Sequence, residues 1–195
     1  VAVYNNLGVA LNKQMKFEQA VVHTRKAIDL QPNYPEAHNN LGSALSGLTR
    51  FSEANIHYKE AIRLKPNYYE AHNNLANSLS KKSNLDEAII YYKKAIQLKP
   101  EYPEAHFNLG VTLNKWNNPE EAIDHLEEAI RLEPNLALAH LTLGNILTQK
   151  NKFKRALYHL KTSIKIDPNN AIAHNSLGSV LGKQGNFKQA IIHFN

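Results

Sequence analysis

Histidine offers this chain its widest range of chemistry, because an imidazole can bind a metal ion and can act as acid or base near neutral pH. The 195-residue sequence contains ten histidines and no cysteine. All ten fall into two series that share a 34-residue period. The series are His38, His72, His106, His140 and His174, and His23, His57, His125, His159 and His193.

This regular spacing argues against a metal or catalytic site. Zinc ligands must lie about 2.1 Å from one ion, whereas equivalent side chains of stacked helices are separated by about the 8 to 10 Å between helix axes. We therefore expect the histidines to pack, and we predict no metal site and no cofactor. No Ser/His/Asp arrangement, phosphate-binding glycine loop or paired-carboxylate cleft is recognisable. The sequence predicts no catalytic residue, so the visible chain is not an enzyme by itself, while a catalytic domain outside it stays open.

The elements that carry these side chains follow the same period. Proline recurs at residues 32, 66, 100, 134 and 168, and leucine recurs from Leu7 to Leu177 with a small residue after each. The apolar spacing within each period predicts two helices, and small residues allow their axes to approach closely. One hairpin cannot bury both of its apolar faces, so neighbouring hairpins must stack.

The residues Leu41, Gly42, Leu45, Ala54, Tyr58, Ala61 and Pro66 resemble the tetratricopeptide repeat pattern, and the resemblance covers the whole chain. It implies an all-α, right-handed α-solenoid of stacked antiparallel helical hairpins. We expect a single array over residues 1–195. Its units are 1–34, 35–68, 69–102, 103–136, 137–170 and a partial unit 171–195. The Glu-Ala-His-Asn-Asn-Leu-Gly variant at residues 36–42 is similar to repeats of O-linked N-acetylglucosamine transferases and of bacterial scaffold proteins.

Charge and hydropathy narrow the partner classes. Residues 1–102 carry 13 basic and 9 acidic side chains, residues 103–136 carry 2 and 7, and residues 137–195 carry 8 and 1. The acidic block interrupts any basic stripe, which argues against a nucleic-acid partner. No apolar run approaches the roughly 20 residues that span a bilayer. The compartment stays unknown, with the cytoplasm slightly favoured.

Asparagine is concentrated on one arc of each first helix. A helical wheel places repeat positions 2, 5, 6, 9, 12 and 13 away from the packing face, and the family resemblance implies that this arc lines a concave groove. Asparagine is a mediocre helix former, so its abundance at exposed positions calls for a reason. A carboxamide carries both donors and an acceptor, which matches the backbone of an extended peptide. The alternative is that asparagine merely keeps the wall soluble.

The resemblance assigns contact with a peptide backbone to the ladder Asn6, Asn40, Asn74 and Asn108, which Thr142 and Ser176 interrupt. The full predicted peptide-binding set adds Asn5, Asn39, Asn73, Asn77, Asn145, Phe107, Lys81 and Lys115. Four apolar residues on the same arc suggest a pocket for a partner's side chain, against the alternative of local packing. They are Phe107, Leu138, Leu141 and Ile172.

We therefore expect a noncatalytic protein–protein interaction scaffold that holds an extended protein or peptide segment in an asparagine-rich concave groove. One alternative is the substrate-recruiting region of a larger enzyme such as a glycosyltransferase, since the sequence starts without methionine and stops inside a helical pattern. Another is an array that associates end to end through Ile191, Ile192 and Phe194.

Overall fold

A computed structural model describes residues 1–194 as twelve α-helices joined by short turns, with no strand in that range. The helices alternate between the first and the second member of a hairpin. They are α1 Ala2–Lys13, α2 Phe17–Leu30, α3 Pro35–Gly47, α4 Phe51–Leu64, α5 Tyr69–Lys81, α6 Leu85–Leu98, α7 Pro103–Lys115, α8 Pro119–Leu132, α9 Ala137–Gln149, α10 Phe153–Ile166, α11 Ala171–Lys183 and α12 Phe187–Phe194.

The chain forms two compact units, Val1–Pro100 and a second unit from Glu101 onwards. In the first unit α1, α3 and α5 each pair with the helix that follows, and α1 contacts α3 as α3 contacts α5. The second unit repeats this scheme from α7 to α12. The prediction of an all-α fold of stacked helical hairpins is confirmed, whereas one continuous array over residues 1–195 stays a prediction.

The core of each hairpin is made by the periodic leucine and the small residues. Five of the periodic leucines are at most 2% exposed, namely Leu41, Leu75, Leu109, Leu143 and Leu177. Burying one such side chain contributes about 2 kcal/mol. Gly144 shows why a small residue follows the leucine, since a Cβ atom there would lie 2.7 Å from Cγ of Leu160 on the second helix. The helices of a hairpin approach each other over these positions.

The turn inside each hairpin contains one residue in the left-handed region. Five of these six residues are not glycine, and they have φ between 58° and 65°. The next residue donates its N–H to a carbonyl in the last turn of the first helix, as Lys16 does to Leu11 at 2.9 Å. This bond satisfies a helix-end carbonyl and offsets a backbone cost of about 1 kcal/mol. The sequence signals this turn most clearly at Gly185, where φ is 78°, and more weakly at Asn117 and Asn151, because asparagine also tolerates positive φ.

Two predicted helix boundaries depend on proline and asparagine. Pro119 is the first residue of α8, where its missing N–H and fixed φ cost nothing. Asn118 precedes it, and its side-chain oxygen accepts a hydrogen bond from the backbone N–H of Glu121 at 3.4 Å. The second helices end before the periodic prolines, as Leu30 does before Pro32. These local signals are sufficient to set the hairpin period.

Candidate functional site

The candidate surface of the first unit lies on α1, α3 and α5, at the two adjacent asparagines of each helix. Asn6 is exposed, and Asn40 and Asn74 are half-buried. Their neighbours Asn5 and Asn39 are buried. The two asparagines of a helix therefore have different environments, and only the later one reaches the surface.

The buried asparagines form a hydrogen-bonded seam between successive first helices. Nδ2 of Asn40 donates to Oδ1 of Asn5 at 2.8 Å, and Nδ2 of Asn74 donates to Oδ1 of Asn39 at 3.0 Å. A third bond joins Nδ2 of Asn12 to the backbone oxygen of Asn40 at 3.1 Å. Because the acceptors are largely shielded from water, each bond holds the orientation of a surface carboxamide.

The expectation that Asn5, Asn39 and Asn73 line an exposed groove is wrong. They are 5%, 6% and 0% exposed. The helical wheel treated each hairpin alone, but α3 contacts α1 and α5 contacts α3, which covers Asn5 and Asn39. Within the first unit these two lie at the seam, where they can act on a ligand only by positioning the surface carboxamides.

The surface carboxamides keep part of their hydrogen-bonding capacity. A primary amide has two N–H donors and an oxygen acceptor. The bonds described for Asn40 and Asn74 use one N–H of each side chain and leave both Oδ1 atoms without a partner in residues 1–194. The ladder on α3 and α5 can therefore offer acceptors and one further donor at fixed positions.

A cavity of about 520 Å³ opens at the C-terminal ends of α3 and α5. Two predicted site residues, Asn77 and Lys81, line it together with Phe51. Oδ1 of Asn77 accepts a hydrogen bond from the Tyr92 hydroxyl at 2.5 Å, which directs the carboxamide. Lys81 is exposed, and the structure gives its ammonium no ion pair within residues 1–194. The cavity thus combines an aromatic wall, an oriented amide and a cation.

Gly47 also lines this cavity, at a position where the other five repeats carry lysine or glutamine. A Cβ atom on Gly47 would lie 2.5 Å from the ring of Phe17. Ser46, Thr49 and Ser78 complete the lining with hydroxyl groups. Sequence reasoning found Asn77 and Lys81 but missed Phe51, which begins α4. Its signal was the recurrence of phenylalanine at the start of second helices, as at Phe17 and Phe153.

The second unit carries the remaining predicted site residues on α7 and α9. Phe107, Asn108 and Asn145 are half-buried, and Lys115 is exposed at the end of α7. Thr142 stands in the ladder position of α9, and its hydroxyl donates to the backbone oxygen of Leu138 at 2.8 Å. The ladder is therefore interrupted in this unit by a side chain that bonds to its own helix.

The four apolar residues predicted to form a pocket divide into two environments. Leu141 is buried, which supports local packing for that residue. Phe107 is half-buried, whereas Leu138 and Ile172 are exposed on α9 and α11. A pocket that joins all four is not described, so the apolar contribution to a binding surface rests on Leu138 and Ile172.

The histidines pair within hairpins. Nδ1 of His38 lies 3.2 Å from Nδ1 of His57, and the equivalent distance is 3.0 Å between His140 and His159. Two further hairpins show the same contact, at 3.1 Å for His106 with His125 and 3.2 Å for His174 with His193. Tyr4 stacks on His23 in the first hairpin, and His72 faces Tyr91 in the third. The expected packing role agrees with this arrangement.

The hydrogen bonds of a pair determine its tautomers. Nε2 of His140 lies 3.1 Å from the backbone oxygen of Pro134, which can only accept, so this nitrogen carries the proton. In a neutral ring Nδ1 of His140 is then the acceptor, and Nδ1 of His159 must be the donor. Burial lowers the pKa of His159 to about 4, assisted by the charges of His140 and Arg155. The pair is thus built for two neutral rings.

The imidazole and carboxylate side chains of residues 1–194 are the groups that could bind a metal ion. No cluster of three or more His, Asp or Glu side chains there is arranged to hold a metal ion. The carboxylates with lowered pKa values owe the shift to neighbouring cations, as Glu53 does to Arg50 and Glu128 to Arg131. These pairs lie on exposed second-helix faces, so they are surface ion pairs of small energetic value.

Comparison with known proteins identifies the family of the repeat. Family profiles described as "Tetratricopeptide repeat" match residues 1–34, 35–68, 57–90 and 103–136, and one described as "TPR repeat" matches residues 77–115 and 144–185. Together they cover nearly all of the chain. The chain belongs to the tetratricopeptide repeat family. A search among curated proteins found no match.

Solved structures share the fold of this tetratricopeptide repeat protein. A structure titled "Functional Characterization of Pseudomonas Aeruginosa pilF" has a TM-score of 0.90 at 22% identity and covers 98% of this chain and 87% of its own. YrrB, titled a "TPR protein with an unusual peptide-binding site", has a TM-score of 0.74 at 24% identity, with 87% and 88% covered. MamA has a TM-score of 0.74 at 25% identity, with 79% and 90% covered.

The helices of this tetratricopeptide repeat protein are short. Among the residues that the structure describes, none is both long and apolar enough to cross a membrane.

Proposed function

We propose that the chain is a noncatalytic protein–protein interaction scaffold that holds an extended segment of a partner protein along its first helices. The observation that carries this proposal is the seam of the first unit, which fixes the carboxamides of Asn40 and Asn74 through buried acceptors. Amides held in this way recognise N–H and C=O groups without requiring a particular side chain. The solved structure of YrrB supports the class of ligand, because its title names a peptide-binding site.

The ligand contacts proposed in the first unit run from Asn6 through Asn40 and Asn74 to the cavity at Asn77 and Lys81. Preorganisation reduces the entropy that binding costs, because the seam already holds two of the amides. An apolar side chain of the partner would contact Phe51 in the cavity, and an acidic group next to it would face the Lys81 ammonium. Asn5 and Asn39 serve as positioning residues in this scheme.

The second unit contributes a separate and less polar stretch of the proposed surface. Asn108, Asn145, Phe107 and Lys115 remain its proposed contacts, and exposed Leu138 adds an apolar one. We expect side-chain selectivity to come from this unit, because the ladder is interrupted at Thr142.

The experiment compares the native chain with a variant in which Asn6, Asn40, Asn74 and Asn108 are all changed to Ala. Both are probed on an array of peptides, and retained peptides are then titrated by fluorescence anisotropy. Each lost hydrogen bond is worth about 1 kcal/mol, so we expect at least about a tenfold loss of affinity. Peptides with N-methylated backbones should lose affinity for the native chain in the same way.

A matched control removes the same number of amides elsewhere. Asn33, Asn67, Asn135 and Asn169 follow the periodic prolines and are exposed in turns. Changing these four to Ala should leave peptide affinity unchanged. Equal retention of peptides by the native chain and the ladder variant, with equal helicity, would refute the proposal.

Two alternatives remain predictions. The full open reading frame decides whether the repeats recruit substrates for an attached enzyme such as a glycosyltransferase. End-to-end association is compatible with the exposure of Ile191 and Ile192, while the side chain of Phe194 lies outside the described residues. Replacing both isoleucines by Asp should abolish any association that uses that end.

A further inference from the structure

An exposed apolar row runs across the second helices of the first unit. Val22 on α2, Ile56 on α4 and Ile90 on α6 are 64%, 66% and 64% exposed. They occupy the same repeat position, 34 residues apart, on the side of each hairpin that carries none of the asparagine ladder. We call these three residues the apolar row.

Packing within the hairpins does not explain the apolar row. Val21 and Ile89, one residue earlier, already supply the buried apolar contacts of their helices. The second unit has Asp124 at the same position of α8, and that aspartate is exposed. A charge is therefore compatible with the fold here. The recurrence of an exposed β-branched side chain at one position of three successive repeats distinguishes these residues from singly scattered apolar ones.

Charged side chains border the apolar row on both sides. One helical turn before it, the exposed or half-buried charges are acidic, and one turn after it they are mostly basic. The acidic border is Glu18, Glu53, Asp86 and Glu87, and the basic border is Arg25, Lys26, Lys59, Lys93 and Lys94, with Glu60 as the exception. All of these lie within about 60° of the apolar row on a helical wheel. Lys59 already pairs with Glu87 in the same copy at 3.2 Å, and Glu53 pairs with Arg50 at 2.6 Å. The charge complementarity with a second copy therefore rests on Glu18, Asp86, Lys26 and Lys94.

The helix dipole accounts for acidic residues in the first turn and basic residues towards the last one. It does not account for an apolar row between them. In a twofold-symmetric dimer the same patch of each copy meets the other. A patch with an acidic border, an apolar row and a basic border can therefore be complementary to itself.

The direction of the twofold axis follows from the borders. With the axis parallel to the apolar row, the basic border of one copy faces the acidic border of the other. With the axis perpendicular to the apolar row, the two basic borders would face each other and the two acidic borders would face each other, and both contacts would be repulsive. We propose that a second copy of this chain covers the apolar row about an axis parallel to it. Lys26 then faces Glu18 of the other copy, and Lys94 faces Asp86.

The second unit lacks this pattern. Asp124, Tyr158 and Ile192 occupy the row position there, and Lys154 and Arg155 precede Tyr158 where the first unit has acids. The interface is thus confined to residues 1–100. A patch across three helices is small, so we expect weak association, as in other interfaces at the low end of the size range.

The experiment measures the mass of the full chain by sedimentation equilibrium from about 5 to 500 μM, a range chosen to bracket that weak affinity. The native chain should pass from monomer to dimer, and Ile56→Asp should stay a monomer throughout. Ile56→Val, which keeps the apolar contact, should dimerise. Tyr158→Asp changes an equally exposed apolar side chain at the row position of the second unit and should also dimerise.

Charge reversal tests the direction of the axis. Lys26→Glu with Lys94→Glu makes both borders acidic at these positions, and Glu18→Lys with Asp86→Lys makes both basic. Each double variant should be monomeric alone, and an equimolar mixture should form a heterodimer. Added salt should weaken both the native dimer and this heterodimer.

Three results would overturn the proposal. They are a native chain that stays monomeric over the whole range, a dimer that survives Ile56→Asp but is lost in Ile191→Asp with Ile192→Asp, and reversed variants that do not associate when mixed. All substituted side chains are exposed, and far-UV circular dichroism should show the helicity of the native chain.

Discussion

The first helices of the two units contact their neighbours through different chemistry at the same repeat position. In residues 1–100 the seam is polar, with Asn5 and Asn39 accepting hydrogen bonds from the next helix. In residues 101–194 the corresponding place on α9 is filled by buried Leu141, and the ladder residue Thr142 bonds to its own helix. Both seams bury the position, so both satisfy the demands of packing.

The difference shows that the stacking of hairpins does not require asparagine. The packing of an apolar residue at the seam has no preferred direction. Burying an amide costs desolvation free energy, and a hydrogen bond offsets this cost only when its partner is in place. In the first unit the buried amides hold the surface carboxamides in a fixed orientation. This is the physical reason to assign backbone recognition to Asn40 and Asn74 and not to the apolar seam.

The largest expected effect comes from moving the polar seam into the second unit. Leu141→Asn replaces a buried apolar side chain by an amide, and we expect it to lower the free energy of unfolding by about 3 kcal/mol. Adding Ser176→Asn supplies a donor 35 residues later, the separation of Asn5 from Asn40 in the first unit. The second substitution should restore about 1 kcal/mol. Urea denaturation of the four proteins in the cycle measures both values.

Ser176→Asn alone serves as the control, because a partly exposed substitution should change stability by less than about 0.5 kcal/mol. A coupling energy near zero would mean that the seam geometry of the first unit does not extend to α9 and α11. The comparison between the two units would then lose its basis in a shared backbone.

The sequence was sufficient to predict the helices, their pairing and the leucine core, because these depend on period and local signals such as Pro119. It placed Asn40, Asn74 and Asn77 correctly at the surface. It misplaced Asn39, because a wheel for one helix contains no information about the neighbouring hairpin. The pairing of His140 with His159 was also beyond it, since the contact depends on how α9 packs against α10 across the 18 residues between the two histidines.

The histidine pairs give the second comparison and a smaller effect. The described part of the second unit has three His–His pairs, whereas the first unit has one, between His38 and His57. Burial lowers the pKa values of His57, His140 and His159, the last to about 4. The unfolded chain binds protons near pH 6.5, so stability is fully present above that pH and is lost as the pH falls towards 4.

We expect His159→Gln to flatten this dependence. Between pH 6.5 and 5 the native chain should lose about 1 kcal/mol at His159, after allowance for partial exposure to solvent. Urea denaturation at several pH values measures the slope, and hydrogen exchange should localise the acid-induced loss to α9 and α10. His23→Gln is the control, because His23 stacks on Tyr4 and not on a second imidazole. Identical slopes for both variants would exclude the pairs as the cause.

The smallest expected effect concerns the third repeat, where His72 faces Tyr91 and not a second histidine. Nδ1 of His72 is buried and has no hydrogen-bond partner in residues 1–194, because Tyr91 stands where the pairs have a second histidine. Nε2 of His72 lies 3.0 Å from the backbone oxygen of Pro66 and carries the proton, so Nδ1 is an unsatisfied acceptor.

Tyr91→His supplies a donor to Nδ1 of His72, and we expect the free energy of unfolding to rise by about 0.5 kcal/mol at pH 7.5 after the loss of ring contact. Tyr91→Phe keeps the ring without a donor and should give no gain. The gain should disappear below pH 5, where the second ring takes up a proton and burial of its charge opposes the new bond. Equal stability of the two variants at pH 7.5 would show that the pairs fill space and contribute no net hydrogen-bond energy.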